Sequence, residues 1–186
     1  LKETAWAAIE DCRPELEAVA LRILEYPELG YAEVQACRWL SELLETHGIE
    51  VERPYGGLET AFRAGAGREK RPNLAFLAEY DALPGLGHAC GHNLIGTAAV
   101  GAGLAMKAVL PELAGTIQVV GTPGEEGGGG KVIMVDAGLF DCVDAAMMIH
   151  PSTKNLTRRT SLTSFKIQIE FFGKPAHAAA KPDEGI

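Results

Sequence analysis

Three short apolar runs, residues 73–79, 116–121 and 145–149, are separated by helix-like segments rather than by hairpin turns. This alternation constrains the fold more than any other feature of the chain. Strands joined through helices run the same way, and a parallel sheet needs both faces covered. The expected class is α/β, a mostly parallel sheet flanked by helices. The connecting segment 92–109 is rich in Gly and Ala, which suits a helix lying close to a sheet, and Pro111 ends it. A further helix is expected over 130–138, behind a Gly-rich loop.

The first fifty residues read as helix, with Trp6, Ile9, Leu16, Val19, Ile23 and Leu24 at roughly helical spacing and Pro14 marking a kink or a fresh start. A turn follows at 26–30. The second helix is expected over 32–47, with Gly48 ending it in a left-handed cap. Strands are expected over 50–53 and 58–64, before a polar turn at 65–71. Past Ser161 the character changes: 162–172 alternates as a long strand, and 173–186 begins a turn and a helix. A domain boundary therefore falls within 153–160. Residues 1–157 form one domain, and 158–186 begin another.

The net charge of −8 argues against a nucleic-acid partner, which would need a basic face, but it is also an ordinary solubility charge. Cys12, Cys37, Cys90 and Cys142 form no CxxC pair, so no disulfide framework is expected and a reducing cytoplasm is the default. The opening Leu1-Lys2-Glu3-Thr4 leads straight into an amphipathic helix, so no signal peptide is expected. The longest apolar stretch, 94–106, is too short to span a bilayer, and no membrane partner is expected. The chain lacks an initiator Met and stops at Ile186 in mid-motif, as a fragment would.

Chemistry concentrates where the expected strands end, the place where such sheets collect ligands. In His88-Ala89-Cys90-Gly91-His92-Asn93, thiolate and imidazole one residue apart can grip a divalent ion if the chain turns at Gly91. Alone, this could equally be a buried Cys beside two loop histidines; c-type haem lacks its CxxCH spacing. Adjacent Glu125 and Glu126 lie in a Gly-rich loop after 116–121, where one carboxylate can bind metal and the other take a proton from water. Alone, they could be a solvated acidic loop. A phosphate loop is excluded, because Glu125 stands six before Lys131 and Val132 follows it. His150 ends an apolar run before Pro151, and Asp81 ends another, where it can ligate or orient a ligand histidine. Together the four segments imply a metal-dependent hydrolase.

These residues, with Pro27-Glu28-Leu29-Gly30, Glu33, Asp81-Ala82-Leu83-Pro84 and Gly173 to His177-Ala178-Ala179, resemble the aminoacylase and carboxypeptidase family of co-catalytic metallopeptidases (metallopeptidase family twenty). The resemblance covers nearly the whole chain and lies with the amidohydrolase branch, which includes hippurate hydrolase, indole-acetyl-amino-acid hydrolases, aminobenzoyl-glutamate hydrolase and a β-alanyl dipeptidase group. It implies a zinc-exopeptidase-like catalytic domain, of which 1–157 is the N-terminal part, and an inserted α+β lid and dimerisation domain begun by 158–186. It implies Cys90, His92, Glu126 and His150 as metal ligands, Glu125 as general base, Asp81 as an orienting carboxylate and His177 as a lid histidine that polarises the scissile carbonyl. A further ligand histidine is expected beyond Ile186. Asn93 stands where many members carry Asp, and the link from Pro84 to His88 is short; both features resemble the dipeptidase and aminobenzoyl-glutamate side of the branch.

The implied reaction is amide hydrolysis in N-acyl amino acids or small dipeptides, with water activated by two divalent ions roughly 3.5–4 Å apart. Zinc suits the thiolate best, with manganese, cobalt and nickel as alternatives. The implied partners are a small-molecule substrate and a second copy, as a homodimer through the lid. Two other readings stand beside this one. One is a thiol hydrolase with Cys90 as nucleophile and His92 or His88 as base, which leaves the glutamate pair unexplained. The other is a non-catalytic metal- or ligand-binding module.

Overall fold

The computed structural model describes residues 1–157, 160, 163, 167–170 and 172–185. They divide into two units, Leu1–Ser152 and Thr153–Ile186. The first unit contains α1 (Lys2–Glu25), α2 (Val34–Thr46), β1 (Glu50–Glu52), β2 (Phe62–Gly67), β3 (Asn73–Ala78), α3 (His92–Val109), β4 (Thr116–Gly121), α4 (Gly130–Asp136) and β5 (Ala145–Met147).

The sheet order is β1-β2-β4-β3-β5. β3 pairs parallel with both β4 and β5, whereas β2 pairs antiparallel with β4 and with β1. The sheet is α/β as expected but mixed: its parallel half carries the helical crossovers, and an antiparallel half extends the other side. The expected strand 58–64 is displaced to Phe62–Gly67. Residues 55–61 turn instead, with Leu58 N bonded to Tyr55 O and Ala61 N to Leu58 O. The Ala-Gly alternation that follows keeps its ladder with β4 through Gly67, so the polar turn starts later.

Side chains two apart along a strand share a face. Phe62, Ala64, Ala78 and Val119 therefore join the core beneath α1, α2 and α3, with Ile23, Leu40, Leu44 and Val100. Ala75 and Val120 point the other way, onto Met134 of α4, with Tyr55, Leu77 and Leu139 around them. Both faces are covered, as a sheet with helical crossovers requires.

α1 runs unbroken through Pro14. Pro14 is exposed, and so is Glu10, the residue four before it whose carbonyl loses its helical partner, so no fresh start is needed. α2 ends as expected: Gly48 takes φ 71°, and Ile49 N returns to Leu44 O at 3.0 Å. α3 is buried between α1 and the sheet, and its glycines set that distance. A Cβ on Gly103 would sit 2.4 Å from Val119 Cγ2. With the short 3-10 turn that follows, this helix covers 21 residues, long and apolar enough by length and composition to cross a bilayer. The helix therefore continues past the apolar stretch 94–106.

In the second unit, His177 precedes a turn at 178–180, and a 3-10 turn covers Pro182–Glu184. Leu162, Ser164, Phe165, Lys166 and Phe171 of the expected long strand lie outside the described residues. Its described residues 163, 167–170 and 172 are exposed and belong to no ladder.

Candidate metal centre

β3, β4 and β5 are parallel, so their carboxyl ends share one edge of the sheet. The chain leaves β3 for α3 on one face and leaves β4 for α4 on the other, which opens a crevice between the two strand ends. Glu79 and Asp81 follow β3, Glu125 and Glu126 follow β4, His150 follows β5, and Cys90 and His92 stand at the start of α3.

His92 is the centre of the group. It is 1% exposed, and Gly91 sets its position by capping α3 in the left-handed region at φ 80°. A Cβ on Gly91 would meet Pro151 Cγ at 2.8 Å, so only a bare backbone lets the loop after β5 close on this one. Nδ1 of His92 donates towards Asp81, 2.9 Å from its carbonyl oxygen and 3.2 Å from Oδ1. In the neutral ring this leaves the lone pair on Nε2. Around Nε2 stand Glu79 Oε2 at 3.6 Å, Glu126 Oε1 at 3.7 Å and Glu125 Oε2 at 3.9 Å. The His150 ring lies edge-on, with centroids 6.0 Å apart.

Two groups of ligand-type atoms result, each within 4.8 Å: Cys90, His92 and Glu126, and Glu79, His92 and His150. His92 belongs to both. Their electrostatics call for a cation. Hydrogen bonding to Glu126 is the largest of the effects that push the Cys90 thiol up to about 11; burial and the charges of Glu126, Glu125 and Asp81 add to it. Burial lifts Glu125 above the usual glutamate range, with Glu79 adding and Lys131 opposing. Burial alone would raise Asp81 as well, but hydrogen bonds from His92 and from the backbone N–H groups of Glu126 and Glu125 outweigh it and hold the carboxyl low. His92 shows the opposite balance: burial lowers it, yet Asp81, Glu79 and Glu126 carry it above its ordinary value. Glu79 Oε2 and His92 Nε2 are buried without a hydrogen-bond partner among the described residues. Orphaned acceptors beside a thiol fit a divalent ion bound by oxygen, nitrogen and sulfur.

The Glu125–Glu126 loop is braced from several sides. Glu33, fully buried, accepts from Gly124 N at 2.7 Å and from Thr60 Oγ1 at 2.9 Å. Asp81 Oδ2 accepts from Glu126 N at 2.8 Å, and the Tyr31 hydroxyl donates to Gly128 O at 2.7 Å. The 26–30 turn is fastened too: the Glu28 carboxylate accepts from Gln35 N and Ala36 N at the start of α2, and Glu28 O accepts from Ala82 N. A recess of about 290 Å³ lies between Leu29, Tyr31, Ala82 and Pro84 and opens on Glu126.

Of the residues expected from sequence, Asp81, Cys90, His92, Glu125, Glu126 and His150 come together. His177 belongs to the second unit, where its Nδ1 accepts from Ala179 N at 3.2 Å and Ala180 N at 3.1 Å. His88 is buried and held below its ordinary pKa chiefly by burial, and it joins neither donor group. Sequence reasoning missed Glu79, with Lys131 paired to it. Its signal was available: Glu79 and Asp81 are two apart around the buried Tyr80, so they share one side of an extended segment.

Over its whole length the chain is 39% identical to the Xaa-Arg dipeptidase of Mus musculus, spanning 46% of that protein. It is also 39% identical to one of the subunits of the p-aminobenzoyl-glutamate hydrolase of Escherichia coli (strain K12), over 96% of this chain and 41% of that one. The chain thus spans about half the length of these relatives. Among solved structures, the YXEP protein of Bacillus subtilis, described as a dinuclear metal binding peptidase, matches at 28% identity and a TM-score of 0.67, covering 74% of this chain and 42% of that chain. The aminobenzoyl-glutamate utilization protein of Klebsiella pneumoniae shares the fold, with a TM-score of 0.66 at 22% identity, over 81% of this chain and 46% of that chain. The profile of peptidase family M20/M25/M40 matches residues 75–185, from the middle of β3 onward, and the chain belongs to that family.

Proposed function

We propose that this protein is a metal-dependent hydrolase of the amide bond in N-acyl amino acids or small dipeptides, with Glu125 as general base. The observation that carries this is the meeting of two donor groups at His92, Cys90–His92–Glu126 and Glu79–His92–His150. Cys90, His92, Glu126 and His150 are the residues that would hold two divalent ions, with zinc favoured by the thiolate over manganese, cobalt or nickel. Bound there, such ions supply a positive field that polarises a carbonyl and acidifies water.

The chain's own groups do the remaining work. Glu125 is the more exposed of the adjacent glutamates, 43% against 21% by side chain, which suits it to take a proton from the attacking water and return it to the leaving amine. Asp81 holds the imidazole of His92 and the backbone of Glu126 in place. His177 accepts hydrogen bonds at Nδ1, which keeps a proton on Nε2 for donation to the substrate carbonyl. Residues 1–157 then belong to the catalytic domain, and 158–186 begin a lid through which two copies pair.

The thiol-hydrolase reading is disfavoured by the site itself. A nucleophilic cysteine needs a depressed pKa, whereas the carboxylates push Cys90 up to about 11. The negative charge favours a small substrate over nucleic acid, and four free cysteines suit a reducing compartment such as the cytoplasm. Metal content together with an amidase panel tests the proposal. Dipeptides ending in Arg and p-aminobenzoyl-glutamate, after the names of the relatives, come first. Chelation should abolish turnover and zinc should restore it; turnover that survives chelation would refute the metal reading.

A further inference from the structure

We propose that Glu79 is itself a metal ligand, offering Oε2 alongside His92 and His150 while Lys131 holds its other oxygen. The inference rests on the metal-dependent reading above and adds a donor to the four residues named there.

Glu79 is 2% exposed, at the end of β3. Its two oxygens have different fates. Oε1 is paired with Lys131 Nζ, from the second residue of α4. Oε2 has no hydrogen-bond partner among the described residues. Its polar neighbour, His92 Nε2, lies 3.6 Å away, beyond hydrogen-bond length, and carries a lone pair because Nδ1 is committed to Asp81. Nε2 is itself orphaned. Two buried polar atoms thus face each other beyond hydrogen-bond length, and a ligand-type atom of His150 stands within the same 4.8 Å.

A buried carboxylate oxygen without a donor costs free energy unless something positive meets it. Lys131 neutralises the carboxylate as a whole and fixes its orientation, but its ammonium is engaged at Oε1. A cation among Oε2, Nε2 and His150 satisfies all three at once. It would also explain why so buried a position carries a charge at all, because buried ion pairs by themselves are poor stabilisers.

The alternative is that Glu79 serves only as the counter-ion of Lys131. Zinc titration by calorimetry, with bound metal counted by mass spectrometry, distinguishes the two in wild type, Glu79→Gln, Lys131→Met and the double variant. The double variant removes both charges together, so it keeps the buried site neutral and guards against misfolding of the single ones. For a ligand, Glu79→Gln and the double variant should both weaken one of two ions by more than about 100-fold, the upper end of what an indirect partner costs. Lys131→Met should weaken it less. The visible spectrum of the cobalt-loaded protein should shift in the Gln variants, because it reports the donor set. Recovery of wild-type affinity in the double variant would overturn the proposal, as would unchanged affinity in Glu79→Gln. If wild type binds no ion, the metal-dependent reading falls first; if wild type binds two and Glu79→Gln binds them equally well, only this inference falls.

Discussion

Asp81 faces His92 with two acceptors at once, its carbonyl oxygen 2.9 Å and its Oδ1 3.2 Å from Nδ1, in a site where both side chains are 1% exposed or less. The remaining oxygen, Oδ2, takes the Glu126 backbone N–H. One carboxylate therefore fixes the tautomer of an imidazole from α3 and the position of a loop after β4. Asp81→Asn keeps the size of the side chain but removes the charge. It should weaken metal binding by about 10–100-fold, measured by competition with a chromophoric chelator. Unchanged affinity would show that the carbonyl oxygen alone is enough.

Glu125 stands beside the donor groups without belonging to either. Glu125→Gln should keep the full metal content and lower kcat by roughly 10²–10⁴-fold, the usual contribution of a general base. Metal analysis and steady-state kinetics on one preparation check this. Near-normal turnover would assign the base elsewhere.

On the proposed ligand set, Cys90 makes metal binding dependent on pH, and the sign follows from its environment. With the thiol raised to about 11, the metal-free protein holds that proton at pH 7. A metal binds the thiolate, so binding expels the proton, and affinity should rise about tenfold per pH unit in this range. Calorimetry in buffers of different ionisation enthalpy counts the protons released. Cys90→Ser should release about one fewer, and equal release would mean that the thiol is not a ligand.

Gly103 reports on packing rather than chemistry. A methyl placed there meets Val119 Cγ2 at 2.4 Å, and either α3 or the Val119 side chain has to shift to admit it. Gly103→Ala gains helix propensity but should still destabilise by about 1–3 kcal/mol, read as a fall in denaturation midpoint. A rise in midpoint would show that Val119 can rotate away.

The sequence speaks most clearly where one signal has one structural meaning. The helix 92–109 begins after Gly91, ends before Pro111 and is found at those limits; strand 116–121 coincides with β4. Strand direction is a different matter, because the period of two is the same in both orientations, so the antiparallel half of the sheet was not legible. Nor could the Ala-Gly run of β2 announce a strand without large side chains. The run 145–149 looked buried, yet β5 stops at Met147 with Met147, Met148 and Ile149 all exposed. At the site, residue type and strand-end position identified six members of the cluster. Glu79 escaped although its spacing from Asp81 was visible, because a charged side chain reads as solvated until burial is known.

β5 has consequences for how the centre fills. It is three residues long and has a single neighbouring strand among the described residues. His150 follows it on the exposed side, whereas Glu126 and His92 are fastened by Asp81. The two donor groups are therefore unequally preorganised. On the proposed ligand set, loading should be sequential, with the first ion taken where Asp81 already holds the ligands and the second at the group that includes His150. Two separated binding steps in a titration would record that order.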